Sequence, residues 1–165
     1  MTIILIIIAI ILVLTFVLYF ASKEGYRGDV AKDAKTLATY SRDISVFTKT
    51  PEEVYFPRNV DDIVHLVTRT IALHAENSNK SLTVRAGGTC MSGGPLSTSA
   101  VIDLTRHMKG ITINTEAKTA TVEMGAYFRD VEDAAAKHGL MFAPYPSSRR
   151  ICGIGGMVGN NASGE

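Results

Sequence analysis

Two glycine-rich segments contain the residues whose types and spacing could bind a ligand. The first glycine-rich segment, residues 85–95, has four glycines within the eight residues from Gly87 to Gly94. Glycine permits positive φ, and successive N–H groups in such a turn form a nest that binds anions. Thr89 and Ser92 add hydroxyl donors. The segment therefore predicts a loop that binds a diphosphate, with a tight surface turn as the alternative.

Two common phosphate-binding motifs do not fit the first glycine-rich segment. A P-loop would end in Gly-Lys-Ser or Gly-Lys-Thr, which this segment lacks. The Rossmann fingerprint would run directly into a helix, whereas Pro95 and the residues after it do not open one. The predicted loop therefore belongs to neither class.

The second glycine-rich segment, residues 144–164, combines prolines, serines, glycines and asparagines. Its two prolines stiffen a loop that carries the hydroxyl donors Ser147 and Ser148. The glycines within residues 153–156 could bring the backbone against a planar ligand, and an asparagine pair further on offers both donors and acceptors. The segment predicts a second part of a binding site, with a linker between packed elements as the alternative.

Hydrophobic periodicity and turn residues predict the elements that position these segments. Asn59 is a suitable N-cap for the first predicted helix. Gly139 is a suitable C-cap for the second. The order of elements predicts an α+β domain. The predicted elements are strands at 54–56, 82–85 and 100–104, helices at 61–75 and 127–138, and a hairpin of 110–114 with 119–124. The residues expected to be buried are Ile63, Leu66, Val67 and Ile71 on the first helix and Phe128, Val131 and Ala135 on the second.

Composition separates an apolar end from an ordinary domain. The chain of 165 residues has 17 Lys+Arg and 16 Asp+Glu, and this balance argues against a nucleic-acid-binding protein. Residues 2–21 carry no charge and are long enough to cross a bilayer, so a single transmembrane anchor is predicted at 1–22. A cleaved signal peptide would need a basic start, and no Lys or Arg precedes Lys23.

The residues that follow the predicted anchor indicate its orientation. Lys23, Arg27, Lys32 and Lys35 form a positive flank, which predicts that the rest of the chain lies in the cytoplasm. Two cysteines make no disulfide framework, which agrees with a reducing compartment. Residues 23–50 are polar and weakly patterned, and they are interpreted as a juxtamembrane linker and a lead-in arm.

Together, the motifs give the chain a specific resemblance. Tyr40-Ser41-Arg42-Asp43, residues 56–63, residues 85–94, Pro146-Ser147-Ser148 and residues 154–164 resemble the FAD-binding domain of the vanillyl-alcohol oxidase/PCMH-type superfamily. Among its branches, the chain looks most similar to the one that holds glycolate oxidase and FAD-linked D-lactate dehydrogenase. The resemblance implies a PCMH-type domain at 51–165, made of the first subdomain and the start of the second. Because the chain stops directly after the second glycine-rich segment, it is interpreted as an N-terminal fragment.

The resemblance also implies which residues bind FAD. In the family the diphosphate lies on the glycine loop, and the proline-serine loop and the Ile-Gly-Gly segment run along the flavin side. Some branches attach FAD covalently through a histidine where this chain has Thr89, so non-covalent FAD is expected. Cys90 and Tyr145 depart from the common serine and aspartate of the family. The residues assigned to cofactor binding are Gly87, Gly88, Thr89, Cys90, Met91, Gly93, Pro146, Ser147, Ser148, Gly153, Gly155, Gly156, Asn160, Asn161 and Gly164.

The activity implied by the resemblance is oxidation of a 2-hydroxy acid of the D-lactate or glycolate type, by hydride transfer to the flavin. A membrane quinone or an iron–sulfur partner would accept the electrons. The fragment alone is expected to be inactive, and it contains no residue that can be named as catalytic or as a metal ligand. The alternatives are a sugar-lactone or alcohol oxidoreductase of the same superfamily, and a non-catalytic, membrane-tethered nucleotide-binding module.

Overall fold

A computed structural model describes residues 25–76 and 79–164. The predicted anchor at 1–22 lies outside these residues, as do the first two residues of the predicted linker. Within the described ranges, no helix is both long enough and apolar enough to cross a membrane.

A four-stranded sheet forms the centre of the fold. Its strands are β1 (Asp29–Ala31), β2 (Glu53–Phe56), β3 (Leu82–Arg85) and β4 (Ala100–Asp103). The order is β1-β2-β4-β3, in which β2, β4 and β3 are parallel and β1 pairs antiparallel with β2. The three strands predicted from the sequence are thereby confirmed. Since parallel strands end at the same edge, the loop after β3 begins beside the end of β4.

Two helices cover opposite faces of this sheet. Helix α1 (Ala34–Tyr40) packs against the face that buries Val54, Phe56 and Val101. Helix α2 (Val60–Ala75) packs against the other face. Strand β1 and helix α1 fall in the region interpreted as linker and arm, so this part of the chain is more regular than its sequence indicated. Both elements are too short for periodicity to identify them.

Helix α2 begins where the sequence predicts. The side chain of Asn59 accepts a hydrogen bond from the N–H of Asp62 at 3.0 Å. The Asp62 carboxylate is itself buried and accepts the N–H groups of Arg27 and Arg58, each at 2.8 Å. This carboxylate accepts backbone donors from the segments before β1 and after β2. Because these contacts bury Asp62, the side of the first helical turn that carries it faces the interior of the domain.

The stripe predicted to be buried on α2 is partly wrong. Leu66 is buried and Ile63 is half-buried, but Val67 and Ile71 are exposed. The inward side of the helix is set by Asp62, which lies one turn before Leu66, so the buried line is rotated away from Val67 and Ile71.

The rest of the described chain forms a hairpin and two helices. These are β5 (Ile111–Asn114), β6 (Thr119–Val122), α3 (Phe128–Ala136) and α4 (Ile154–Gly159). The hairpin is confirmed, as is α3 with its buried residues Phe128, Val131 and Ala135. The C-cap of α3 is Lys137 rather than Gly139, the residue predicted from the sequence, because the helix ends earlier, at Ala136. Gly139 takes a φ of +67° in the turn that follows. Helix α4 is not predicted from the sequence, because three of its six residues are glycines, which have a low helix propensity.

Candidate functional site

The first glycine-rich segment leaves the end of β3 as an irregular loop. No helix begins directly after Pro95, as predicted, and residues 96–99 are irregular. Gly88 takes a φ of +66°, a conformation that L side chains rarely adopt. Within the described chain, the N–H groups of residues 87–91 donate to no protein acceptor. The loop therefore presents backbone donors that an anionic group could accept.

The second glycine-rich segment is built differently. Three of its five glycines, Gly155, Gly156 and Gly159, form part of helix α4, and the first two N–H groups of that helix are already satisfied. The N–H of Ile154 donates to the carbonyl oxygen of Ala126 and that of Gly155 to Met124, both at 2.9 Å. A Cβ on Gly155 would lie 2.8 Å from the Met124 oxygen. This glycine brings the backbone of α4 against the backbone at Met124.

The two glycine-rich segments touch each other at Gly87. A Cβ on Gly87 would lie 2.3 Å from the carbonyl oxygen of Ile151, far inside the usual contact distance. A Cβ on Gly153 would in turn lie 2.9 Å from the side chain of Ala86. The absence of both side chains lets the loop after β3 and the turn before α4 meet directly.

Where the segments meet, they enclose two adjoining cavities of about 360 and 300 Å³. Both cavities are lined by Thr89, Cys90, Gly156 and Asn160, and together we call them the groove. The predicted site residues that line the groove are Gly87, Gly88, Thr89, Cys90, Met91, Pro146, Ser147, Ser148, Gly155, Gly156, Asn160 and Gly164.

Three predicted site residues do not line the groove. Gly93 takes a φ of +78° in a turn beside Phe47. Gly153 is buried and serves as the N-cap of α4. Asn161 is exposed, with a φ of +50°, just after the end of α4. These residues shape the two segments without facing the groove.

Sequence reasoning missed the apolar wall of the groove. Val84, Leu104 and Met124 line the larger cavity, and Ile44 lines the smaller one. Leu104 follows the end of β4, and Ile44 belongs to the arm before β2. In the sequence these side chains look like ordinary core or surface residues, because only the fold brings them beside the loop.

A polar cluster lies at Arg85, where the first glycine-rich segment begins, and fixes this end of the segment. The guanidinium of Arg85, the last residue of β3, donates to the carbonyl oxygen of Arg42 at 2.8 Å and lies 5.1 Å from the Tyr40 ring. The Tyr40 hydroxyl donates to the buried carboxylate of Asp103, at the end of β4. Asp103 also accepts the hydroxyl and the N–H of Thr105. The arm before β2 is thereby fixed to the strand ends that carry the loop.

Electrostatics distinguish Cys90 from an ordinary thiol. Its sulfur lies 3.2 Å from the hydroxyl oxygen of Ser92. This hydrogen bond, together with N–H groups of the same turn, lowers the pKa of the Cys90 thiol, while burial and, less strongly, the Asp43 carboxylate oppose the shift. Cys152, in contrast, is a buried residue of the core beneath α4. The described residues contain no group of three or more His, Cys, Asp or Glu side chains arranged to hold a metal ion.

Comparison with known proteins identifies this arrangement. Residues 51–165 match the family model of an FAD binding domain. D-2-hydroxyglutarate dehydrogenase of Pseudomonas putida is 33% identical over 143 residues, which are 86% of this chain and 14% of that protein. Glycolate oxidase subunit GlcD of Bacillus subtilis is 34% identical over 119 residues, which are 69% of this chain and 24% of that protein. The chain thus spans less than a quarter of either relative.

The fold is also shared with solved structures. That of 6-hydroxy-D-nicotine oxidase from Arthrobacter nicotinovorans has a TM-score of 0.65 and 22% identity, and the match covers 78% of this chain and 27% of that one. At this level of identity the likeness concerns the fold alone. With the family match over residues 51–165, it places the chain in the FAD binding domain family, with the PCMH-type fold and FAD as its cofactor.

Proposed function

We propose that the groove holds FAD with its diphosphate on the first glycine-rich segment. One observation carries this proposal: residues 87–91, whose N–H groups have no protein acceptor within the described chain, line the same groove as the second glycine-rich segment. Backbone donors bind a diphosphate without needing lysines, which suits a nearly neutral chain. The glycines that bring the segments together keep Cβ atoms out of this junction.

The second cavity suits a longer, partly polar portion of the same cofactor. Ser147 and Ser148 bring hydroxyl groups to its lining, and Asn160 brings an amide that can donate and accept. Apolar side chains such as Ile44 and Met157 complete the wall. This mixture of apolar surface and a few polar groups is typical of cofactor sites.

The attachment of FAD is proposed to be non-covalent, because Thr89 stands at the loop position where a histidine would be needed. Flavin that leaves the polypeptide when the protein is denatured would support this assignment. Flavin that stays with the denatured chain would contradict it.

For the whole protein we propose oxidation of a 2-hydroxy acid. The support comes from the relatives, which are named as dehydrogenases or oxidases of D-2-hydroxyglutarate and glycolate. FAD, when bound, supplies the hydride acceptor, and this chain supplies the donors and walls that orient it. A membrane quinone or an iron–sulfur partner is the proposed electron acceptor.

We also propose that residues 1–22 anchor the protein in a membrane and that the FAD domain faces the cytoplasm. The support is the uncharged run at residues 2–21 and the positive flank after it. Resistance of the chain to alkaline carbonate extraction would support the anchor, and release into the soluble fraction would contradict it.

Flavin affinity provides a controlled test of the groove. Gly88→Ala and Gly139→Ala place alanine at nearly the same positive φ, +66° and +67°. The new Cβ at residue 88 also overlaps the Arg85 guanidinium at the end of a flexible side chain, whereas the one at residue 139 has no atom within 4 Å. Gly139 lies beyond α3 and does not line the groove. We expect Gly88→Ala to weaken FAD binding about tenfold or more, because it disturbs the nest of N–H donors, and Gly139→Ala to leave affinity unchanged. Equal affinities in a fluorescence titration would contradict the proposal.

The reaction is tested separately, with the complete protein. Under anaerobic conditions, D-2-hydroxyglutarate, D-lactate or glycolate should each be tried for bleaching of the flavin absorbance. Bleaching by one of them supports the substrate class. A flavin that binds but is reduced by none of them would contradict the proposed oxidation of a 2-hydroxy acid. It would not contradict the proposed cofactor site.

A further inference from the structure

The outer side of α2 carries an exposed apolar stripe. Val60, Val64, Val67 and Ile71 follow one another at spacings of four, three and four residues, which places them on one line of the helix. Their exposed fractions are 64%, 56%, 42% and 66%. Isolated exposed apolar residues are common, but four on one helical line form a continuous surface that water would wet at a cost.

This stripe does not belong to the core of the domain. The opposite side of α2 packs on the sheet through Leu66, with Ile63 at its margin. None of the buried clusters in the described part of the chain includes a residue of the stripe. Helix α2 is therefore apolar on two sides, and only the sheet side has a partner among the described residues.

The chain enters the described domain beside this helix. The N–H of Arg27 donates to the Asp62 carboxylate, in the first turn of α2, at 2.8 Å. The Tyr26 ring packs edge-on against Tyr55 with centroids 5.2 Å apart, on the sheet face that α2 covers. The backbone at residues 26–27 is thereby tied to the N-terminal end of α2.

The predicted anchor ends only a few residues earlier. The five residues from its end at Ser22 to Arg27 span at most about 18 Å when fully extended. Helix α2, with 16 residues, is about 24 Å long. An anchor that crosses the bilayer therefore leaves the N-terminal end of α2 close to the lipid headgroups.

We propose that the Val60–Val64–Val67–Ile71 stripe rests on the surface of the same bilayer that residues 1–22 cross. The proposal depends on the proposed anchor and not on the flavin site. Side chains of an interfacial helix enter the boundary of headgroups and acyl chains by about 5–10 Å, which matches a single apolar line. A second copy of the chain is a poorer occupant, because a stable interface buries about 800 Å² on each partner and four side chains supply far less.

The absence of tryptophan from the chain makes this contact measurable. Val64→Trp and Ile71→Trp would each place one indole on the stripe. Lys35→Trp is the matched control, since Lys35 is an exposed residue of α1, on the opposite face of the sheet. The 165-residue chain would be reconstituted in vesicles of phosphatidylcholine and phosphatidylglycerol, with or without lipids brominated on the acyl chain.

On the proposed surface, both stripe indoles should lose fluorescence to brominated lipid. Their quenching by aqueous acrylamide should be about twofold or more weaker than that of the Lys35→Trp control. Indoles as open to acrylamide as the control would overturn the contact. So would indoles that are shielded from acrylamide but unaffected by brominated lipid, because protein would then cover them.

Carbonate extraction of the same vesicles separates the two proposals. A chain that resists extraction but has exposed stripe indoles keeps its anchor and lacks the surface contact. A chain that carbonate releases overturns both. Neither result bears on FAD, whose binding is measured independently.

Discussion

The two glycine-rich segments have similar compositions but use their glycines differently. In the first, the loop after β3 leaves the N–H groups of residues 87–91 without protein acceptors in the described chain. In the second, the N–H groups that open α4 donate to the backbone at Met124 and Ala126. One segment uses glycine to present donors, and the other uses it to pack a short helix closely against its neighbour.

The difference follows from what lies beneath each segment. Helix α4 stands on a core of Phe128, Cys152 and Met157. The first glycine-rich segment is instead fixed at its first residue, Arg85, by polar contacts that involve Arg85 and Tyr40. Glycine content alone therefore does not distinguish a ligand-binding loop from a close-packed one, and the hydrogen-bond partners of the backbone do.

The largest effect is expected from removing the core beneath the second segment. Phe128→Ala should lower the free energy of unfolding by about 3–5 kcal/mol, because it leaves a cavity under α4. Urea unfolding of the purified chain measures this. Met141→Ala is the control: its side chain is 85% exposed, and its effect should stay within about 0.5 kcal/mol. Equal losses of unfolding free energy in the two variants would mean that the Phe128 core does not stabilise α4.

The contact between the segments should give the next largest effect. In Gly87→Ala the new Cβ would meet the Ile151 carbonyl oxygen at 2.3 Å, and backbone must move to relieve it. A loss of about 1–3 kcal/mol in urea unfolding is expected, together with weaker FAD binding. Gly159→Ala serves as the control, because Gly159 lines the same groove with no atom within 4 Å of a new Cβ. If both variants unfold at the same urea concentration, the segments do not meet as described.

How far the sequence predicts this fold depends on the kind of signal. Elements with strong periodicity, such as the hairpin and α3, were predicted almost to their ends. Helix α4 was missed because its glycines lower helix propensity, and tertiary hydrogen bonds to Met124 and Ala126 compensate for this. The buried side of α2 was misplaced because periodicity cannot foresee an inward carboxylate such as Asp62.

The candidate site also contains residues that the sequence predicts and residues that it does not. The glycine, serine and asparagine residues near the groove could be identified from the sequence, because they form clusters that are unusual for a packed core and because the family resemblance names them. The polar cluster at Arg85 could not, because Tyr40 and Asp103 are 63 residues apart and each is ordinary alone. Long-range pairs of this kind are set by sheet order, which the sequence of a single chain does not encode locally.

A smaller effect is expected at the polar cluster where the first glycine-rich segment begins. Burial, and next the Asp103 carboxylate, raise the pKa of Tyr40, so its hydroxyl stays protonated and donates at ordinary pH. Tyr40→Phe removes one of the donors to buried Asp103 and should cost about 1–2 kcal/mol in urea unfolding. Tyr127→Phe is the matched control, since Tyr127 is also half-buried but lies at the start of α3, outside the Asp103 cluster. A loss no greater than that control would show that the cluster does not support the loop.

The smallest effect concerns the chemistry of the loop itself. Because the Ser92 hydroxyl is the main cause of the lowered pKa of Cys90, Ser92→Ala should raise that pKa and reduce the thiolate fraction at pH 8. Thiolate is the reactive species, so alkylation by iodoacetamide should slow about two- to fivefold. Cys152 is an internal reference, since it is buried and should react only on unfolding. Mass spectrometry of the modified peptides separates the two cysteines.

Added FAD should protect Cys90 in both forms of the chain, because this thiol lines both cavities of the groove. Equal alkylation rates without FAD would assign the lowered pKa to the backbone N–H groups of the turn. Failure of FAD to protect Cys90 would instead remove the first glycine-rich segment from the cofactor site, and with it the contrast between a donor loop and a packing helix.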